Sequence, residues 1–303
     1  MSVVIILTLA FLSLPATAAP PTQVMALGRE RYGIQASESR LLRREGKNWR
    51  TILSRPLCGM VDLAALPEGE LFVACEKEKS ILIVTIAGQI KRIIKDDQDG
   101  EDLRPPHSIA LGPDGSLFFT ATGLPKTDSL PRGDLYWIPP GSQNAWLISS
   151  ALSEPQGVLV SRDLQSVFIA ERGARRLMQY SLHGSPRSFN RRIRKPRILF
   201  DAEKEGYAVA GGAPAAGGAM TSGGGSNDAP GPAAVAWAGD HSVWLGFAGD
   251  SRVMEISVET GKIARTLTAK SSSVVRLGLD RLNRKLLVSG NAGTEELSLE
   301  LRP

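Results

Sequence analysis

The stretch RPPHSIALGPDGSLFFTAT, residues 104–122, decides the fold. It reads as one hairpin. An apolar run from Ile109 to Leu111 meets the turn Gly112-Pro113-Asp114-Gly115, and a second apolar run follows from Leu117 to Phe119. The same grammar returns in CGMVDLAALPEGELFVACE (58–76), PQGVLVSRDLQSVFIAE (155–171), PAAVAWAGDHSVWLGFAGD (232–250) and SVVRLGLDRLNRKLLVSGN (273–291). The second runs open near Leu71, Leu117, Val167, Val243 and Leu286, in steps of 46, 50, 76 and 43 residues. Such a period is that of a four-stranded sheet repeated around an axis, where neighbouring sheets bury one another's faces and leave only short edges. The expected fold is all-β, a six-bladed β-propeller of four-stranded antiparallel blades; a β-sandwich with chance likeness among hairpins is the alternative.

The other blades follow from this frame. Residues 24–53 supply a first blade from QVMALG, YGIQAS, SRLLRRE and NWRTILS, and residues 273–303 supply the sixth. The segment near residue 25 is a candidate to pair beside the last strand, ELSLEL, and so close the ring. Residues 206–231, GYAVAGGAPAAGGAMTSGGGSNDAPG, are too poor in large apolar side chains to pack, and read as a flexible insertion in a single domain spanning 19–303. Removing them returns the long step to 50 residues.

Composition bounds the function. Hydrophobic residues make up 42% of the chain and charged ones 22%, which fits a globular protein with a sizeable core. Residues 3–14, VVIILTLAFLSL, precede Ala16-Thr17-Ala18, an apolar run with a small-residue cleavage site. This predicts a signal peptide over 1–18, a secreted or periplasmic protein and no transmembrane span after cleavage. Its n-region carries no Lys or Arg, and retention as an anchor is the other reading. The formal charge of +5 is concentrated in RSFNRRIRKPR, residues 187–197, read as a solvated loop between blades rather than an anion-binding patch. Nucleic acid is not an expected partner. Cys58 and Cys75 flank one hairpin, three or four positions from direct opposition, and are read either as a disulfide or as two buried thiols. The acidic run Asp96–Asp102 lacks the ligand order of an EF-hand and reads as a charged outer loop, with calcium binding the other reading.

In a propeller the residues just before each inner strand and just after the second share one face, around the mouth of the axial channel. That rule gathers His107, Gln156 and Ala233 on the entry side, and Glu76, Thr122, Glu171, Arg172, Asp250 and Asn291 on the exit side. His107 is read as a loop-bonded imidazole or as a ligand or general base. Glu171 and Arg172 are read as a rim ion pair or as a pair that binds a polar substrate. No nucleophile elbow of the G-x-S-x-G type is present.

RPPHSIALGPDGSLFFTAT, PQGVLVSRDLQSVFIAE and GPAAVAWAGDHSVWLGF resemble three successive blade openings of the senescence-marker-protein/gluconolactonase (regucalcin-like) family of six-bladed propellers, over roughly residues 55–300. The turn-and-strand grammar is shared with NHL-type and strictosidine-synthase-like propellers. The resemblance implies Asn, Asn and Asp at three mouth positions, which with an N-terminal Glu hold a divalent cation that polarises a lactone carbonyl and activates water. This chain has His107, Gln156 and Ala233 there, and Ala121 where a further Asp is expected, while Glu171 keeps a carboxylate in blade four. Two readings result. The main one is an exported propeller that binds a small molecule or a protein partner at the mouth without turnover. The alternative is a divergent lactone or ester hydrolase. It would have His107 and Glu171 as catalytic residues, Gln156, Arg172, Thr122 and Asp250 as binding residues, and calcium, zinc or manganese on a rearranged site at His107 and Gln156.

Overall fold

The computed structural model describes residues 21–66, 68–122, 132–183, 192–206 and 230–299. The expected signal peptide, most of the linker after Thr122 and nearly all of the Gly/Ala-rich insertion lie outside them. Blade one comprises β1 (Gln23–Leu27), β2 (Glu30–Gln35), β3 (Arg40–Glu45) and β4 (Asn48–Ser54). Blade two holds β5 (Met60–Ala65), β6 (Glu70–Cys75), β7 (Ser80–Thr85) and β8 (Ile90–Ile94). Blade three holds β9 (Pro106–Leu111), β10 (Leu117–Ala121), β11 (Arg132–Ile138) and β12 (Trp146–Ser153). Blade four holds β13 (Pro155–Val160), β14 (Ser166–Glu171), β15 (Arg176–His183) and β16 (Arg192–Asp201). Blade five holds β17 (Gly231–Trp237), β18 (Ser242–Ala248), β19 (Arg252–Ser257) and β20 (Ile263–Thr268). Blade six has three strands among the described residues, β21 (Val274–Asp280), β22 (Lys285–Gly290) and β23 (Gly293–Ser298).

Every blade is an antiparallel meander in chain order, and the first strand of each lies innermost, packed on the first strand of its neighbours. The fold is the six-bladed propeller. In blades two to five, strands two and three are largely buried on both faces because blades lie on either side, so β6 (ELFVAC) and β7 (SILIVT) read as near-continuous apolar runs. The core is accordingly divided into wedges at the seams between blades. Phe72, Ile83, Phe119 and Tyr136 fill the seam of blades two and three, with Phe119 stacked on Tyr136 at 4.8 Å. Phe168, Phe200, Phe247 and Met254 fill that of blades four and five.

Among the described residues the ring does not close by strand exchange. The segment near residue 25 pairs within its own blade, Met25 opposite Tyr32, and not beside the last strand. Blades six and one instead meet through packing of β1 on β21, a buried ion pair of Arg31 with Asp280, and a hydrogen bond from Thr294 Oγ1 to the Thr22 carbonyl at 3.2 Å. The basic run also differs from expectation. Residues 192–197 belong to β16, the outermost strand of blade four, and not to a loop.

Cys58 and Cys75 form a disulfide, with Cα atoms 4.7 Å apart. Met60, not Cys58, stands opposite Cys75, and a bulge after Met60 reduces the offset to two residues. In the acidic run, Asp97 is buried and its Oδ1 accepts the backbone N–H groups of Asp99 (2.9 Å) and Glu101 (3.0 Å). Its carboxylate therefore holds the loop together from within.

Candidate functional site at the channel mouth

Five of the six inner strands carry a β-bulge near the start. In blade three Pro106 pairs with Ala121 and Ser108 with Thr120, which leaves His107 without an opposite residue. The equivalent interruptions fall at Val61 in blade two, Gln156-Gly157 in blade four, Ala233 in blade five and Val275 in blade six. A bulge breaks the alternation of a strand and re-aims the extra side chain, which is why bulges gather at binding sites. Here they set one residue per blade around the mouth. Sequence reasoning placed His107, Gln156 and Ala233 at this end but did not find the bulges, since a register shift leaves no mark in composition.

Hydrogen bonds lock two of these bulges together. Ser108 donates its backbone N–H to Thr120 Oγ1 at 3.3 Å, and that hydroxyl donates to the Gln156 carbonyl at 2.9 Å. The His107 imidazole lies against the same backbone. Burial pushes its pKa below the usual value near 6.5, a backbone hydrogen bond with Gln156 opposes that, and the Arg172 charge lowers it further. His107 is therefore neutral at pH 7, and its buried Nδ1 has no hydrogen-bond partner.

Glu76 adds a second titratable group on the exit side of blade two. Burial raises its carboxyl pKa against the opposing charge of Lys77, and its carboxylate has no hydrogen-bond or ion-pair partner among the described residues. The other exit-side residues are already engaged. Arg172 pairs with Glu154 at 2.8 Å. Burial would raise the Asp250 pKa, but hydrogen bonds from Arg252, 2.9 Å from its backbone and 2.8 Å from Nε, hold it below the usual range. Asn291 accepts from Ser271 Oγ at 2.6 Å and donates to Ser272 Oγ at 2.9 Å. Thr122 donates its backbone N–H to the Pro105 carbonyl at 3.1 Å.

Glu171 is held inside blade four. Only 1% exposed, it accepts from Arg176 Nε at 2.8 Å and Tyr180 Oη at 3.0 Å, so its carboxylate is committed within blade four. Its ion partner is Arg176 and not the adjacent Arg172. Nothing in the local residue pattern separates the two arginines, because the hairpin register that places Arg176 opposite Glu171 comes from strand pairing.

Just below the bulges the channel is crossed. Arg276 of blade six pairs with the 2% exposed Asp62 of blade two and donates from Nη2 to the Leu63 carbonyl at 2.8 Å. Asp62 also accepts the Ile109 N–H at 2.8 Å and the Leu63 N–H at 2.7 Å. Burial raises its pKa, and Arg276, followed by the two backbone donors, opposes the rise. The mouth is thus a cup with a polar floor. Neither Asp62 nor Arg276 stood out in the sequence, since each is one charged residue in a strand.

The donors of the cup do not fit the divalent cation that the resemblance implies. A hard cation takes six to eight oxygen ligands; Ala233 contributes none, and His107 suits calcium poorly. Among the described residues no cluster of three His, Cys, Asp or Glu side chains is arranged to hold a metal.

A ring of six meanders, with His107 and Gln156 on two of the five bulges at one mouth and the Arg276–Asp62 pair across the axis, defines a six-bladed β-propeller. Its fold is that of the gluconolactonase and regucalcin-like propellers. The chain is similar to a gluconolactonase from Xanthomonas campestris, with a TM-score of 0.66 and 15% identity over 93% of this chain and 87% of that one. It is also similar to a luciferin-regenerating enzyme, with a TM-score of 0.62 and 17% identity over 89% and 84%. A calcium-binding regucalcin from Agrobacterium tumefaciens gives a TM-score of 0.61 and 13% identity over 89% and 82%. No family model and no curated protein matches the sequence.

Proposed function

We propose that the cup takes a lactone or small ester and hydrolyses it without a resident metal, with His107 as general base. The observation that carries this reading is a neutral imidazole on a bulge at the mouth of a gluconolactonase-like ring. A neutral imidazole beside the bound carbonyl takes a proton from water as the oxygen attacks carbon. The ring or ester C–O bond then breaks, and the proton passes to the leaving oxygen, giving a hydroxy acid or an acid and an alcohol. Glu76, unpaired and with a raised pKa, is suited to hold or deliver that proton.

Hydrolysis of aldonolactones and short esters, followed by base consumption with and without chelator, tests this. Turnover that survives chelation and is lost in His107→Ala supports it; turnover lost on chelation overturns the metal-free assignment. Saturable lactone binding without turnover supports the second reading, a propeller that binds without catalysis, which the alanine at position 233 and the committed carboxylate of Glu171 favour. We also propose export, supported by the apolar run over 3–14 and by the Cys58–Cys75 disulfide. An N-terminus beginning just after Ala18 is the expected result, and Met1 retained on a cytoplasmic protein would overturn it.

A further inference from the structure

Across the mouth from His107 stands an apolar side chain open to solvent. In the ring of six blades, blade six faces blade three. The bulge of blade six falls at Val275, between Val274 opposite Gly290 and Arg276 opposite Ser289. Val275 is 44% exposed. It belongs to β21, the innermost strand of its blade, which is packed between β17 and β1. The next residue, Arg276, crosses the axis to Asp62. Solvent at that point is the solvent of the mouth, so the isopropyl group of Val275 borders the cup.

A lone exposed valine marks nothing by itself. Its setting distinguishes this one. The neighbouring bulge, on blade five, carries the buried Ala233, which has no hydrogen-bonding side chain. The polar side chains of the rim on blades five and six are bonded to one another or to backbone. Asn291 is held by Ser271 and Ser272, Ser273 Oγ accepts the Gly249 N–H at 3.0 Å, and Asp250 is held by Arg252. A substrate hydroxyl brought against this side loses water and gains no partner, a cost that an alkyl group does not incur. The polar bulge residues, His107 and Gln156, lie on blades three and four. Gln23 starts the inner strand of blade one, opposite blade four, and lies off the line from His107 to Val275. Along that line the cup changes from polar to apolar.

We infer that the ligand of the cup is a lactone carrying an alkyl substituent, with its carbonyl at His107 and its alkyl group on Val275, and not a polyhydroxylated lactone. For its chemistry, opening of the ring C–O bond by water to a hydroxy acid, this rests on the hydrolase reading. It adds Val275 as the residue that selects the substrate.

Two measurements on the full-length protein test the inference. One is kcat/KM for γ-lactones with side chains from methyl to hexyl and for gluconolactone. The other is calorimetric affinity for 3-alkylcyclopentanones, isosteric ketones that water cannot open. Each added methylene should raise kcat/KM and affinity about fourfold until the chain passes Val275 and reaches open water. Gluconolactone should be a poorer substrate than the longer alkyl lactones. Val275→Asn, at an exposed position, should cut the gain per methylene below about twofold. Val275→Leu should keep the gain and reach its limit at a shorter chain, which a merely structural role would not produce. A chain-length gain in ketone binding without turnover of any lactone would end the hydrolase reading and support the assignment of the ligand. Turnover indifferent to chain length, turnover fastest on gluconolactone, or a gain that Val275→Asn leaves intact would overturn the inference and keep the hydrolase. Neither turnover nor binding would overturn both.

Discussion

Arg276 ties blade six to blade two across the axis, through the Asp62 carboxylate and the Leu63 carbonyl, although blade one lies between them in the ring. Asp62 also accepts the Ile109 N–H of blade three, so one buried carboxylate joins three blades. Arg276→Met leaves that carboxylate charged, buried and unpaired, and should destabilise the fold by about 3–5 kcal/mol in urea unfolding. Adding Asp62→Asn should recover part of the loss. Unchanged stability in Arg276→Met would show that the pair closes the cup without holding the ring.

The disulfide closes a loop with a sequence separation of 17 residues. Replacing Cys58 and Cys75 together by serine should cost about 3 kcal/mol, and reductant should lower the wild-type melting temperature toward that of the variant. Insensitivity to reductant would place the stability of blade two in its packing alone.

The pH dependence of His107 has a definite sign. Burial lowers its folded pKa below the usual 6.5, so the neutral form persists on acidification past that value. If the imidazole is the base, turnover should hold steady from neutral pH through 6.5 and fall only below it. An acidic limb centred above 6.5 in kcat/KM would exclude His107 from that role.

Tyr136 supplies a stability signature at the other end of the scale. Burial and the neighbouring Asp134 push its pKa from 10.0 up to about 12. The protonated phenol is favoured in the fold, so its contribution is complete below pH 10 and is lost as pH rises toward about 12. Tyr136→Phe should flatten the decline of stability across that window in alkaline unfolding. A decline as steep as in the wild type would point to other groups.

Gly157 tests the bulge of blade four. A Cβ there would lie 2.8 Å from the Ala233 carbonyl and 3.1 Å from the Val235 nitrogen, both backbone atoms that cannot swing away. Gly157→Ala should therefore force blades four and five apart at the mouth, raising KM for any ligand of the cup and lowering the melting temperature by several degrees. Gly112, whose nearest atoms are side-chain oxygens of Ser116 and Asp114, lies in a hairpin turn and should tolerate alanine with less effect on KM.

Much of the fold was legible because a repeat is read from spacing. Once the hairpin at 104–122 recurs, the six blades follow, and so does the end of the channel at which His107 and Gln156 lie. The partners of those residues were not legible. Glu171 looked available beside Arg172, and only the pairing of β14 with β15 committed it to Arg176 and Tyr180. The basic run looked like a loop because its charges far outnumber its apolar residues, yet residues 192–197 extend an edge strand that pairs with no further strand.

The amino-acid sequence by itself determined the blade count and the hairpin turns. These depend on local propensity and on a pattern of apolar residues that repeats along the chain. Only the tertiary structure decided that Asp62 meets Arg276 and that Cys58 reaches Cys75. Each of those rests on a one-residue shift in register or on contact between strands more than 200 residues apart, Arg276 with Asp62 being separated by 214. A bulge that re-aims a side chain costs nothing visible in sequence, and a long-range contact is set by ring closure, which no local pattern encodes.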